Sequence, residues 1–496
     1  MVLPLEFRAV TRDDVPGVVA ELLGSGHRVA SVVARETADG FAVRYVLTPP
    51  DVASGPAVEL GTAVPADDPA LPSLAALSHQ AGRFEREIAD LFGIRPLGHP
   101  QPKRLVKHAH WPESWAPMRG GPAPAFGPDV AGFPFAEVAG SGVFEIAVGP
   151  VHAGIIEPGH FRFSVVGETI VRMEPRLWFL HRGVEKVFEG RTAATGLALA
   201  ERIAGDTPIG HGLAFALAAE QAAGYDVPED AQLLRALLLE LERLINHVTD
   251  LGALANDTGF GIGNVHALRL RERLARLNDA ATGHRLLRGA LRIGGASLRA
   301  LPAPAELTAI AAELGELTAI IRGHGIVRDR FTGTGVLPHD AAVSLGTLGY
   351  VARASGIATD ARRELPFVAL PEVFDVVVES GGDVLARFLV REREAQISAS
   401  VAVALIERLA GRVEAMADAP APAHRPRRGL GLVEAWRGAL THHVELGEDG
   451  TLERVKVVDP SFFNWPALPV ALAETIVPDF PLTNKSFNQS YAGNDL

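Results

Sequence analysis

Apolar residues alternate with polar or small ones through Phe41, Val43, Tyr45 and Leu47, a period of two that predicts a half-buried β-strand closed by Pro49-Pro50. From Leu71 to Phe92 the period lengthens. Phe84, Ile88, Leu91 and Phe92 recur at helical packing intervals, and Gly93 supplies a stop. Together these elements predict a small α/β domain over residues 1–115. Residues 116–141 then lose regular pattern, and the run from Gly120 to Pro128, rich in glycine and proline, reads as an extended linker or a strap laid over a surface.

A second domain, 142–496, opens with two alternating runs, Phe144, Ile146, Val148 and then Phe161, Phe163, Val165. They predict two strands joined by a loop that carries His152, Glu157 and His160. Such a loop is either a long hairpin connection or a place where two imidazoles and a carboxylate converge to relay protons. A helix is predicted over Glu174–Glu189, with Leu177, Leu180, Val184 and Phe188 on one stripe and His181 four residues from Glu185. That spacing fits a simple ion pair as well as a functional pair. At Gly205-Asp206-Thr207-Pro208, Thr207 is expected to cap a helix whose first position is Pro208, which puts Asp206 and His211 at an electropositive helix start.

The segment 232–256 has the strongest helical period: Leu237, Leu241, Leu244, Val248 and Leu251 form one face, beside Glu240, Arg243, His247 and Asp250. The charged row is either a buried ionic network or the helix's wet side. Further helices are predicted near 268–289, 304–322 and 391–410. A hairpin is predicted where Val376-Val377-Val378 and Leu385-Ala386-Arg387-Phe388 flank Gly381-Gly382. Pro420–Arg428 reads as an exposed loop and 430–458 as a short sheet. The second domain is thus mainly helical with small sheets, and the chain as a whole is of the α+β class.

A formal charge of −12 argues against protein-wide attraction to nucleic acid or anionic lipid. The N-terminus shows no secretory leader pattern, and the leucine-rich stretch Leu233–Leu254 is too interrupted by charge to span a bilayer. With no cysteine, the chain lacks disulfides, thiolate catalysis and the ligands of ordinary iron–sulfur clusters. No dinucleotide-binding glycine fingerprint is present, so NAD is not expected to bind this chain directly.

Several longer strings carry a family likeness. Phe84-Glu85-Arg86-Glu87-Ile88-Ala89-Asp90-Leu91-Phe92-Gly93-Ile94, with Gly98-His99-Pro100, resembles the signature of the 30-kDa-type subunit of respiratory complex I. Gly149-Pro150-Val151-His152, continuing through Glu157-Pro158-Gly159-His160-Phe161-Arg162-Phe163, resembles the 49-kDa-type subunit. So do His181-Arg182-Gly183-Val184-Glu185-Lys186, Glu201-Arg202-Ile203 and Asn246-His247. Still more similar is the fused large subunit of membrane energy-converting [NiFe]-hydrogenases of the formate hydrogenlyase and hydrogenase-4 type. The resemblance implies a small domain of the complex I 30-kDa type followed by a large domain of the hydrogenase large-subunit or complex I 49-kDa type.

Those hydrogenases hold nickel and iron through two Cys-x-x-Cys pairs, which the resemblance lays on Ala204 and Thr207 and on Ser461 and Asn464. Neither an alanine nor a neutral hydroxyl replaces a bridging thiolate, so no metal and no hydrogen chemistry are expected here. In the complex I relatives the same cavity holds a quinone headgroup between a histidine, matched by His160, and a tyrosine, whose place falls on Gly205 with no tyrosine beside it in the chain. The resemblance therefore implies a cavity with His160, Asp206, Arg202 and His152 as reactive groups and Glu157, His211, His181 and Glu185 as ligand-binding groups. Glu240 and Asp250 stand behind them. It also implies docking on a small iron–sulfur subunit, a ferredoxin-like subunit and antiporter-like membrane subunits at the cytoplasmic face of the membrane, with the clusters in those partners and a quinone as the candidate acceptor. Two functions fit: a redox subunit with an acceptor site, or a structural subunit that joins an iron–sulfur partner to a membrane arm.

Overall fold

The computed structural model describes residues 3–128, 132–152, 156–418 and 427–496. Strands β1 (Leu5–Ala9), β2 (Arg28–Thr37), β3 (Gly40–Thr48) and β4 (Ala57–Pro65) form a sheet of order β1-β4-β3-β2, in which only β1 and β4 run parallel. Helices α1 (Val15–Gly24) and α2 (His79–Phe92) belong to the same unit. Helix α2 starts later than its apolar period implied, because Ser78 caps it by accepting the Ala81 amide at 3.2 Å. Leu71 lies instead in a short strand, Ala70–Pro72. Gly93 ends α2 in the left-handed conformation, at φ 75°.

Strands β5 (Val143–Val148), β6 (His160–Val166) and β7 (Thr169–Arg176) form an antiparallel sheet, so the two predicted strands and their loop are present. Ala153–Ile155 of that loop lie outside the described residues. The helix expected over Glu174–Glu189 is not there. Its first part completes β7, where Arg176 pairs with His160, and only α3 (Val184–Phe188) is helical. Pro175 and the positive φ of Trp178 and Gly183 break the helical path between them.

Among the helices of the large domain are α4 (Ala193–Ala200), α5 (Pro208–Ala223), α6 (Glu229–Asp257), α7 (Gly261–Thr282), α8 (Pro304–Gly323) and α9 (Val384–Leu409). The hairpin expected around Gly381-Gly382 is instead the start of α9. Gly382 turns with φ 64°, and Asp383 caps the helix by accepting the Ala386 amide at 2.8 Å. A third sheet, β8 (Arg427–Ala435), β9 (Gly438–Leu446) and β10 (Leu452–Val458), covers the expected tail region. Of the predicted loop at Pro420–Arg428, residues 420–426 lie outside the described residues, and Arg427 and Arg428 already pair in β8.

Strand β3 is buried on both sides apart from Ala42, rather than half-buried as its alternation implied. The reason is that its second face meets the tail sheet: Val46 packs with Leu430, and Arg44 bonds Glu445 on β9. The two sequence domains also share aromatic packing, since Phe84 of α2 stacks on Phe462 at 4.8 Å. Between them, Asp90 Oδ2 accepts the amides of Leu105, Val106 and Lys107 at 2.8, 2.7 and 3.2 Å. Arg176 donates to the carbonyls of the same three residues. The strap crosses this region, with Phe135 5.3 Å from the His160 ring.

Candidate functional site

Helix α6 supplies the floor. Leu237, Leu241, Leu244, Val248 and Leu251 are at most 1% exposed, each side chain contributing about 1.5–3 kcal/mol by burial. Glu240, Arg243, His247 and Asp250 are buried as well, which makes the charged row an internal network and not a wet face. Glu242, next to Arg243 in the same helix, reaches the start of α5, where it accepts the amides of Ile209 and Gly210 at 2.6 and 3.0 Å. Burial pushes Glu242 up to about 8 despite those donors.

Glu242 thus takes the capping role expected of Thr207, whose side chain makes no cap bond. Thr207 Oγ1 instead donates to Asp206 at 2.9 Å and accepts from Trp436 Nε1 at 3.1 Å. The two amides that an anion would have used are already occupied.

Asp206 faces Arg437. The guanidinium donates to both carboxylate oxygens, at 2.8 and 2.7 Å, and its Nε donates to the Asn488 carbonyl at 2.6 Å. It lies 3.9 Å from the Trp436 ring centroid. Burial opposes ionisation of Asp206, but the Arg437 charge outweighs it and holds the carboxyl below its ordinary range.

The four positions matched to metal-binding cysteines are all buried: Ala204 at 1%, Thr207 at 2%, and Ser461 and Asn464 at 0% exposure. Ser461 and Asn464 lie on α10 (Pro460–Asn464), capped by Asp459. Ser461 Oγ accepts the Ser490 amide at 2.9 Å. Asn464 accepts the Leu348 amide at 2.8 Å and donates to its carbonyl at 3.2 Å. One methyl, two engaged hydroxyls and one engaged carboxamide do not fit a nickel–iron centre, which needs soft anionic donors. Among the described residues no group of three His, Asp or Glu could hold another metal.

His211 is fully buried between Asp459 and His442, 3.2 Å from each. With its Nε2–H donated to Asp459, Nδ1 accepts from His442, and burial holds His442 far below the ordinary imidazole range. This chain of three groups belongs to the core behind the former metal position.

The loop residues go elsewhere. His152 Nε2 donates to the Gly159 carbonyl at 2.7 Å and His160 Nδ1 to the Gly149 carbonyl at 3.0 Å, so the two imidazoles brace the loop reciprocally. Glu157 accepts the Ala492 amide at 3.0 Å, at the start of α11 (Tyr491–Asp495). His160 alone lines a cavity, of about 210 Å³, and its Nε2 is buried without a partner. A tyrosine does approach this loop, from the far end of the chain: a Cβ on Gly159 would meet Tyr491 Cε1 at 2.5 Å. Burial pushes Tyr491 up to about 12.

His181 donates to the Asp495 carbonyl at 2.8 Å, and burial lowers its pKa. Glu185 does not pair with it but with Lys456 at 2.9 Å and Arg454 at 2.6 Å; burial opposes its charge, yet Arg454 and Lys456 bring it down to about 2. Arg202 is exposed, its guanidinium turned to the Ala198 carbonyl, and does not reach the buried groups. Glu240 joins Arg243 and Arg362, both at 3.2 Å, and Asp250 joins Arg391 at 3.3 Å and Asn488 at 2.7 Å. Continuing from Glu240, Arg362 bonds Asp360, and Arg353 bonds Glu394 and Glu434, both at 2.7 Å. The structure therefore brings Asp206 and Thr207 together with Arg437, and groups His152, His160 and Glu157 at a separate loop. Trp436 and Arg437, at the β8–β9 turn, carried no signal in the sequence, since nothing in their spacing points to Asp206.

Residues 257–432 match the model of the 49-kDa subunit of respiratory-chain NADH dehydrogenase, and residues 9–121 match that of its 30-kDa subunit. Residues 182–255 match the model of nickel-dependent hydrogenases. Formate hydrogenlyase subunit 5 of Escherichia coli is 33% identical over 452 residues, 87% of this chain and 78% of that protein. The chain belongs to the family of fused complex I-type and hydrogenase-type large subunits. Another member, hydrogenase-4 component G of the same organism, is 31% identical over 87% of this chain and 77% of its own length. A chain from the structure of the membrane-bound sulfane sulfur reductase, an archaeal respiratory membrane complex, superposes with a TM-score of 0.65 at 25% identity, covering 71% of this chain and 98% of that one. Within this family the present chain lacks all four cysteines. None of the helices among the described residues is long and apolar enough to cross a membrane.

Proposed function

We propose that this chain is a peripheral-arm subunit of a membrane-associated, complex I-like redox complex that works without hydrogenase chemistry. In this reading it helps pass electrons from an iron–sulfur partner to an acceptor and couples that transfer to ion movement by antiporter-like membrane subunits. The observation that carries it is that Ala204, Thr207, Ser461 and Asn464 stand at the four positions matched to metal ligands, while the Asp206–Arg437 ion pair lies beside Thr207 and Trp436. His160, with Nε2 unpartnered at a cavity, is the group best placed to meet an acceptor. Its partners would be a small iron–sulfur subunit and a ferredoxin-like subunit, at the cytoplasmic face of the membrane.

The reading is tested on the intact complex, purified through a tag on this chain. Electron transfer from a reduced ferredoxin to a water-soluble quinone or other added acceptor is expected, with no hydrogen evolved, and is expected to fall at least tenfold in His160→Gln. Stoichiometric nickel in the complex, or hydrogen evolution from it, would overturn the reading. A second reading, a structural subunit joining the iron–sulfur partner to the membrane arm, is favoured by the close engagement of Ser461 and Asn464 with backbone. Turnover unchanged in both His160→Gln and Asp206→Asn, with assembly lost in Asp206→Ala, would select it.

A further inference from the structure

The cavity beside His160 is lined by Arg104 and Lys107 from the segment after α2, and by Arg162 and Arg176 from β6 and β7. Among the described residues, no Asp or Glu lines it. Lys107 and Arg176 are only 8% and 4% exposed, so positive charge is held where desolvation is costly. Burial lowers the pKa of both, that of Arg176 to about 10. Carboxylates outside the lining attract these cations from nearby, Asp90 and Glu113 acting on Lys107 and Asp90 and Asp495 on Arg176. Asp90 accepts three backbone amides, Glu174 accepts the Ala136 amide at 3.0 Å, and Glu145 meets Arg162 at 2.8 Å on the exposed side. Arg176 spends its own donors on backbone carbonyls, which do not neutralise it.

His160 adds a directional group. Its Nδ1 must carry hydrogen, because its partner is the Gly149 carbonyl, so the buried Nε2 presents a lone pair, or a donor once protonated. The remaining wall is aromatic. Phe135 sits 4.6 Å under the Arg162 guanidinium and Phe133 4.8 Å under that of Arg176, with Phe179 beside them. Each ring holds a guanidinium in place and leaves apolar surface that an inorganic oxyanion would not cover. At about 210 Å³ the cavity is small for a ligand site.

We propose that this cavity binds a small organic carboxylate, its charge held by Arg104, Lys107 and Arg176, its apolar body against Phe133, Phe135 and Phe179, and its edge within reach of His160 Nε2. The site is the one given to the acceptor above; benzoate binding is measured on the free chain without electron transfer, so failure of this proposal and failure of the redox role are read separately.

The test is calorimetric titration of the purified full-length chain with benzoate, beside the neutral isostere benzamide and inorganic phosphate. Saturable one-to-one binding of benzoate is expected, weakened by added salt, with no binding of benzamide and weaker binding of phosphate. Arg104→Gln should weaken benzoate at least tenfold, and unchanged thermal melting certifies that the variant is folded. Absent benzoate binding, equal binding of benzamide, stronger binding of phosphate, or affinity untouched by Arg104→Gln would each overturn the proposal. Arg104-dependent binding to phosphatidylglycerol vesicles in place of benzoate would assign the cations to a lipid headgroup and overturn it too.

Discussion

Arg437 straddles Asp206 with two hydrogen bonds of 2.8 and 2.7 Å, although 231 residues separate them in the chain. A bidentate pair with one partner buried should couple measurably. In a double-mutant cycle of Asp206→Ala and Arg437→Ala, read by chemical denaturation, a coupling of about 1–2 kcal/mol is expected, moderated because the Asp206 side chain is 41% exposed. Additive effects of the two substitutions would show that the pair does not hold this locus together.

Glu242 predicts a pH dependence. Its carboxyl is pushed up to about 8 in the folded chain, so between its ordinary value near 4.5 and about 8 the folded state binds a proton that the unfolded state does not. Its contribution is therefore full at acidic pH and is lost as pH rises towards 8, by at most about 5 kcal/mol. Asp495 and Glu434, raised to about 6 and about 7, act in the same direction. Melting curves from pH 5 to 9 should fall less steeply for Glu242→Gln than for the parent. Identical slopes would place the proton elsewhere.

Buried and exposed arginines should differ sharply. Arg353, fully buried against Glu394 and Glu434, is expected to cost about 3–5 kcal/mol when replaced by Met, since two carboxylates lose their partner in the core. Arg363→Met, which removes a pair with Asp375 at 54% and 75% side-chain exposure, is expected to cost under about 1 kcal/mol. Urea denaturation of both variants compares them directly, and similar costs would contradict the buried network.

Gly159 leaves no room for a side chain beside Tyr491, so Gly159→Ala should destabilise by about 1–3 kcal/mol through overpacking. Most of that cost should disappear when Tyr491 is shortened to Leu in the same chain. A cost that persists would mean that the alanine disturbs the loop in some other way.

Elements whose period runs long were legible in the sequence. Helices α6 and α8 and strands β5 and β6 lie where their apolar spacing put them, because a continuous buried face leaves a repeated mark, whereas α7 (Gly261–Thr282) starts and ends ahead of the expected 268–289 and α9 takes in Leu385–Phe388, expected as a hairpin strand. The segment Glu174–Glu189 misled because its apolar stripe serves two elements in turn, β7 and α3, with Trp178 and Gly183 turning the chain between them. At the site, the strings that carry the family likeness marked Asp206, Thr207, Ser461 and Asn464. What fills their surroundings could not be read there, because Arg437, Trp436 and Tyr491 arrive by tertiary packing from positions with no periodic or motif-level mark. Thr207 shows the limit most simply: its sequence context is that of a helix cap, yet a carboxylate from another helix occupies the amides.

The contact of Phe84 with Phe462, together with the grip of Asp90 and Arg176 on the segment 105–107, joins the fused halves through buried contacts. A protease that severed the strap near Gly120 would leave two fragments that still co-elute and melt in one transition. Fusion in this chain secures joint synthesis of two parts that are each other's interior, so neither half is expected to stand as a free module.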